Sequence, residues 1–186
     1  FDPPQSKGIN YRKTVGFIGL QNQGCTCYMN SALECLFHII AFRKIVFQLP
    51  TNGKEDVKTN IPLALQRLFI LLQKSSFSPS TQELTNAFGW GTLDVFLQHD
   101  VQEFLNKLID NIEKKMKGTD NENAIASLFR GKTVNFIKCL TVDYSSEREE
   151  LFYDIQLPVK NMKNIEESLR SSIQDETLEG KNQYEA

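Results

Sequence analysis

The sequence predicts an α+β fold, and three observations carry that expectation. Apolar residues recur at helical spacing through the first two thirds of the chain. After Gly131 the residues become β-prone and a short stretch alternates apolar and polar. Helical stretches come first and strands later, which separates α+β from an alternating α/β chain. There is no internal repeat and no low-complexity tract.

Residues 1–15 read as a polar lead-in, with Pro3 and Pro4 arguing against helix. Residues 16–132 read as one helical unit. It opens with a loop bearing Gly16, Gly19 and Gly24, and from Tyr28 the pattern turns helical. Leu33, Leu36, Phe37 and Ile40 follow the i, i+3, i+4, i+7 spacing of a buried stripe. Pro50 to Lys58 is a charged, turn-rich connection. A second helix spans Pro62 to Lys74, with Pro62 suited to its first turn and Leu65, Leu68, Phe69 and Leu72 as its apolar face. Ser80 or Thr81 caps a short helix to Phe88, with Glu83 near its front. A third main helix runs from Asp100 to Gly118. Val101, Phe104, Leu105, Leu108, Ile112 and Met116 form its apolar face, and Lys114, Lys115 and Lys117 crowd the end where the helix dipole favours cations. In residues 133–186, Thr133 to Thr141 is β-prone. Leu151 to Leu157 alternates, with Leu151, Tyr153, Ile155 and Leu157 on one face and Asp154 and Gln156 on the other. Asn164 caps a last helix to Gln174.

Of 186 residues, 40% are hydrophobic and 24% charged, which is ordinary for a globular chain. The net charge of -2 lacks the basic excess of a nucleic-acid or acidic-membrane partner. No apolar run approaches the ~20 residues that span a bilayer. The first residues have no apolar core and no initiator Met, so they read as neither a signal peptide nor a natural start. Cys25, Cys27, Cys35 and Cys139 are too few for a secreted disulfide scaffold, which points to an intracellular protein with reduced thiols.

The stretch GLQNQGCTCYMNSALECLF, Gly19 to Phe37, concentrates the chemistry. A helix beginning near Cys27 leaves its first backbone N–H groups unpaired, and these groups with the helix dipole stabilise negative charge. A thiol there ionises more easily, and the thiolate is the nucleophile. The same N–H groups can hold an oxyanion formed by attack on a carbonyl. The Asn22 amide can fold over the helix start and donate to that oxyanion, and Gly24 lets the turn tighten. Cys27 sits at the junction, whereas Cys25 lies in the turn. Cys25 and Cys35 read as small fillers, Cys35 within the apolar stripe. Residue type and spacing alone leave Cys27 open between a nucleophile and a buried structural cysteine.

GLQNQGCTCYMNS resembles the cysteine box of the ubiquitin-specific proteases, papain-like cysteine deubiquitinases, at every fixed position of G-L-x-N-x-G-x-T-C-Y-x-N-S. QHDVQEF, Gln98 to Phe104, resembles the family's Q-x-D-x-Q-E-F. FRGKTV, EELFYDIQLPV, NIEESL and LEGKNQY follow in the family's order. PLALQRLF, FGWGTLDVFLQHDVQE and FRGK look most like its herpesvirus-associated branch. The resemblance implies the papain-like peptidase fold, truncated: a helical thumb over residues 16–132 and the first strands of fingers and palm over 133–186. It also implies hydrolysis of the isopeptide or peptide bond after the C-terminal glycine of ubiquitin. Cys27 maps to the nucleophile and Asn22 to the oxyanion donor. Tyr28, Asp100, Val101 and Gln102 map to the groove for ubiquitin's tail, where a carboxylate suits the tail's arginines. Gln156 maps to a position facing ubiquitin's body. The bland reading of QHDVQE is a capped, solvated helix start. Implied partners are ubiquitin and ubiquitinated proteins, with no nucleic acid and no membrane, for a monomer in the nucleus or cytoplasm.

A cysteine nucleophile needs a base, usually histidine oriented by Asp or Asn. His38 lies eleven residues beyond Cys27. On one helix that is roughly 16 Å along the axis, beyond hydrogen-bond reach. His99 falls in the tail-groove motif, where the family does not place its base. The resemblance puts the catalytic His and its partner further along than this chain reaches, so the chain alone is expected to be inactive and to expose apolar surface where the absent sheet would dock. The other reading is a non-catalytic ubiquitin-binding scaffold of the same fold. No cofactor and no metal are expected. The family's finger zinc would need two CxxC pairs. Val142 stands at the second position of a pair starting at Cys139, and Ala186 stands where the other pair would begin. Cys139 alone reads as a strand-packing residue. Cys25 beside Cys27 has a second reading, a thiol that traps an oxidised nucleophile.

Overall fold

A computed structural model of the chain describes residues 10–91, 94–180 and 183, with the Tyr11 side chain outside the description. The chain divides into two compact units, residues 1–128 and 129–186.

The first unit is helical. The expected lead-in already contains a helix, α1 (Tyr11–Val15). Asn10 caps it by accepting from the Lys13 N–H, and Gly16 ends it at φ 83°, a conformation open to glycine. Pro3 and Pro4 lie outside the described residues and precede this cap.

The helix expected from Tyr28 through Ile40 is two helices, α2 (Cys27–His38) and α3 (Ile40–Phe47). Ile39 between them is extended, with ψ 100°. The break turns Ile40 out to solvent at 60% exposure, while Leu33, Leu36 and Phe37 are buried as the spacing predicts. α3 buries Phe42, Ile45 and Val46 instead. α4 (Ile61–Lys74) is capped by Asn60, which accepts from the Leu63 N–H at 2.9 Å, and Pro62 stands in its first turn. Its buried Leu65, Leu68, Phe69 and Leu72 form the centre of the unit. Phe69 packs edge-on to Phe37 and Phe42, at 5.2 and 6.1 Å between ring centres. Each such side chain contributes about 1.5–3 kcal/mol on burial.

α5 (Gln82–Ala87) follows Thr81. Next come a 3-10 turn (Asp94–Phe96) and α6 (Val101–Met116). Phe104, Leu108, Ile112 and Met116 are buried at four-residue spacing. Val101 departs from the expected face, being 43% exposed in the open first turn. Leu105 is half-buried, because it lies about 100° round the helix from Phe104. A short helix unmarked in the sequence reading, α7 (Ala124–Phe129), buries Ile125 and Ala126. α4 packs against both α5 and α6, and α2 against α3 and α6.

The second unit holds β1 (Gly131–Lys138) and β2 (Ser145–Phe152), paired antiparallel from Gly131↔Phe152 to Lys138↔Ser145. The strand expected over Leu151 to Leu157 is corrected: β2 is the segment SSEREELF and ends at Phe152. That segment carries no apolar alternation. It becomes a strand because the Cys139 N–H to Tyr144 carbonyl bond, 2.9 Å, closes the connection and sets the register. Lys132 and Glu149 then pair on one face at 2.6 Å. Finally, α8 (Ile165–Ser172) is capped as expected by Asn164, which accepts from the Glu167 N–H at 2.8 Å. The Glu167 carboxylate accepts in turn from the Lys163 N–H. This unit leaves Phe136, Leu140, Val142, Leu151, Val159, Ile165 and Ile173 exposed.

Candidate active site

Cys27 is the first residue of α2, and its side chain is exposed. Thr26, at the N-cap, is buried to 1% exposure, yet its hydroxyl does not cap the helix. It accepts from the Gln23 N–H at 3.1 Å and donates to Asn22 Oδ1 at 2.8 Å. The hydroxyl is therefore directed back into the loop, and the N–H groups of Cys27, Tyr28 and Met29 have no partner among the described residues. The Asn22 amide is held at both ends. Its Oδ1 takes the Thr26 hydroxyl, and Nδ2 donates to the Gly24 carbonyl at 2.9 Å. One amide hydrogen of Nδ2 remains.

The loop is pinned on two sides. On one, Gln21 bridges to the segment before α5, its N–H on the Pro79 carbonyl and its side chain on the Ser78 carbonyl at 2.8 Å. Gln23 donates to the Thr81 hydroxyl at 2.6 Å. On the other side, the Cys25 N–H donates to the Val95 carbonyl at 2.9 Å. Gly24 sits at φ 125°, and a Cβ there would meet the Phe96 ring at 3.0 Å, so the position needs glycine for both conformation and space.

Asp100 caps α6: its carboxylate accepts from the Gln102 N–H at 2.7 Å and is exposed. Val101 and Gln102 lie exposed in the first turn. Tyr28 is half-buried, with its ring 6.5 Å from those of both His99 and Phe104. Burial pushes its phenol up, the nearby Glu103 and Cys27 charges add to this, and the His99 backbone opposes it. Its hydroxyl oxygen is buried without a hydrogen-bond partner of good geometry. Trp90 stacks on His99 at 4.7 Å and a 5° interplanar angle, and Phe88 lies between Trp90 and Phe104. α2 and α6 thus meet through Tyr28, Phe104 and His99. Gln156 is exposed in the second unit, past the end of β2.

Neither histidine is bonded to Cys27. His99 Nε2 faces the Asp94 carbonyl at 3.2 Å, and His38 is the last residue of α2 beside Glu34. The filler readings of two cysteines are corrected. Cys25 and Cys35 are both exposed, Cys35 because it falls one residue off the Leu33–Leu36–Phe37 stripe. Cys139 is half-buried and stands just past β1. Among the described residues no group of three or more His, Cys, Asp and Glu could hold a metal ion. The position taken by Ala186 lies outside the described residues.

The sequence reading missed Thr26 as the group that holds Asn22. A threonine before a helix start signals an N-cap. That signal finds the residue but names the wrong partner.

The family model described as ubiquitin carboxyl-terminal hydrolase matches residues 18–178, the helical unit and the strands together. The chain belongs to the ubiquitin carboxyl-terminal hydrolase family. Among its relatives, ubiquitin carboxyl-terminal hydrolase 15 of Schizosaccharomyces pombe is 51% identical over 180 residues, 96% of this chain. Ubiquitin C-terminal hydrolase 13 of Arabidopsis thaliana is 50% identical over 175 residues, 94% of the chain. Ubiquitin carboxyl-terminal hydrolase 7 of Drosophila melanogaster is 49% identical over 185 residues, 100% of the chain. In each case the chain spans 16% of the relative's length. The helices with a small antiparallel sheet are the α+β arrangement of part of such a papain-like domain.

Proposed function

We propose that the protein is a thiol-dependent deubiquitinase, hydrolysing the isopeptide or peptide bond after the C-terminal glycine of ubiquitin, with Cys27 as nucleophile. The observation that carries this reading is the open first turn of α2. Cys27 stands beside N–H groups that Thr26 leaves unpaired, and Asn22 is held at the same loop. A Cys27 thiolate adds to the carbonyl carbon, and the new oxyanion takes the free Asn22 amide hydrogen and first-turn N–H groups. Collapse expels the amine and leaves an acyl thioester, which water cleaves. The base for these proton transfers comes from outside these residues, since His38 and His99 are engaged elsewhere. The isolated chain is therefore inactive.

Tyr28, Asp100, Val101 and Gln102 line the groove for ubiquitin's tail, the exposed Asp100 carboxylate meeting its arginines, and Gln156 faces the body of ubiquitin. The phrases PLALQRLF, FGWGTLDVFLQHDVQE and FRGK support a place in the herpesvirus-associated branch. It works as a monomer in the nucleus or cytoplasm, on ubiquitin and ubiquitinated proteins, without nucleic acid, membrane or metal.

The test is release of a fluorophore from the C-terminus of ubiquitin by three proteins: this chain, the full-length protein, and its Cys27→Ala variant. Activity is expected from the full-length protein alone. Turnover by the short chain would refute the external base. A Cys27→Ala variant as active as its parent would refute the nucleophile. A full-length protein that binds ubiquitin without turnover would establish the scaffold reading instead.

A further inference from the structure

At the other end of α2, the first unit carries a half-open cleft of about 220 Å³. Its walls include Arg12, Phe17, Phe37, His38, Arg43 and Leu72. Three basic side chains thus surround an apolar floor, and no Asp or Glu lines it. Arg12 is anchored by donating through Nε to the Ser75 carbonyl at 2.7 Å and through Nη2 to the Leu72 carbonyl. Arg43 is anchored by donating through Nη1 to the Phe37 carbonyl at 3.2 Å, with its guanidinium 4.8 Å above the Phe37 ring. His38 lies edge-on to Phe17 and Phe37, at 5.6 and 5.5 Å. Both guanidiniums are half-buried and oriented by backbone, and neither has a carboxylate partner among the described residues. In a chain of net charge -2, Arg12 and Arg43 thus form a cationic pair without a carboxylate, whereas His38 stands 3.9 Å from Glu34.

The size and the floor indicate the occupant. The volume is below the ~300 Å³ at which drug-sized ligand pockets begin. It suits one or two side chains presented by a peptide. Guanidinium N–H groups match a carboxylate, and the rings of Phe17 and Phe37 match an apolar neighbour. We propose that this cleft is a docking site for a linear segment of a partner protein in which an acidic residue flanks an aromatic one. Phe17, 63% exposed, is the apolar contact awaiting that partner. The anchored guanidiniums lose little rotamer freedom on binding, which favours a short motif.

The test is fluorescence anisotropy of a labelled peptide carrying Glu-Phe-Glu, added to the full-length protein. A Gln-Phe-Gln peptide is the uncharged control, and inorganic phosphate is the free-anion competitor. The acidic peptide is expected to bind with a submillimolar Kd and to weaken at high salt. Gln-Phe-Gln should bind roughly tenfold or more weakly, and Arg43→Gln should cost a similar factor. Phe17→Ala is the second variant. That residue is exposed, so its substitution spares the fold while weakening the peptide. Equal binding of both peptides, displacement by phosphate at peptide-like concentrations, unaltered binding by Phe17→Ala, or no binding at millimolar peptide would each overturn the proposal.

Discussion

Replacing Thr26 by valine keeps the shape and removes one hydroxyl. In the structure that hydroxyl accepts from the Gln23 N–H and donates to Asn22 Oδ1. Valine leaves the Gln23 N–H without its partner at a half-buried position and releases one of the two bonds that hold the Asn22 amide. A lost hydrogen bond costs about 1 kcal/mol, and more where a buried donor is orphaned, so a stability loss of about 2 kcal/mol is expected. The catalytic consequence is separate. Deleting an oxyanion donor outright costs roughly 10²–10³ in kcat, and a donor set loose by one of two tethers should cost on the order of tenfold. The assay is steady-state release of fluorophore from ubiquitin by the full-length protein, beside urea unfolding of the same samples. Expected are a fall in kcat with little change in KM, and recovery of both readouts in Thr26→Ser, which restores the hydroxyl. If stability falls by the expected amount while kcat stays at the parent value, Thr26 supports the loop but does not position Asn22. The oxyanion role of Asn22 then loses its structural basis.

Three further outcomes follow from the same geometry. Gly24→Ala places a Cβ 3.0 Å from the Phe96 ring at φ 125°, so urea unfolding should show a loss of roughly 1–3 kcal/mol, and a change within ~0.5 kcal/mol would contradict the backbone requirement. Asp100→Ser keeps the cap of α6, whereas Asp100→Ala removes it at a cost of about 1 kcal/mol. If Asp100 meets the arginines of the ubiquitin tail, both variants raise KM alike; a KM raised only in the alanine variant would reduce Asp100 to a cap. Glu34 is the last case. Burial raises its pKa above the ordinary 4.5, opposed by His38, so ionised Glu34 works against folding. Its contribution is fully present below the unfolded pKa and is lost as pH rises through the folded one. Glu34→Gln should therefore be more stable than its parent at pH 7, with the gap closing as the pH falls to about 4. A gap that widens on acidification would refute the sign.

Elements were legible where one short segment carries its own signal. Asp100 starts α6 and Asn164 caps α8 as their positions predict, and the stripes of α4 and α6 are buried where period predicts, apart from Val101 and Leu105. Where a partner elsewhere in the chain decides, the reading missed. SSEREELF becomes β2 through its ladder with β1, and nothing in its composition says so. The break at Ile39 opens the apolar run Ile39–Phe42 with no Gly or Pro to mark it, so periodicity carried one helix through it and put Ile40 on the wrong side. Cys35 shows the same limit on a smaller scale, because a one-residue offset turns a side chain by about 100°.

By itself the sequence determined the helical-then-β order, the helix start at Cys27 and the box around it. These depend on contacts within a few residues, and the local residues contain that information. Only the tertiary structure decided what the box rests on. Gln21 and Gln23 reach residues 78–81, and Gly24 and Cys25 meet residues 95–96. Those partners are more than fifty residues away along the chain, and no periodicity or propensity links them. The Thr26 hydroxyl turns from the helix to the loop because the loop, pinned from both sides, brings the Gln23 N–H and Asn22 Oδ1 within its reach.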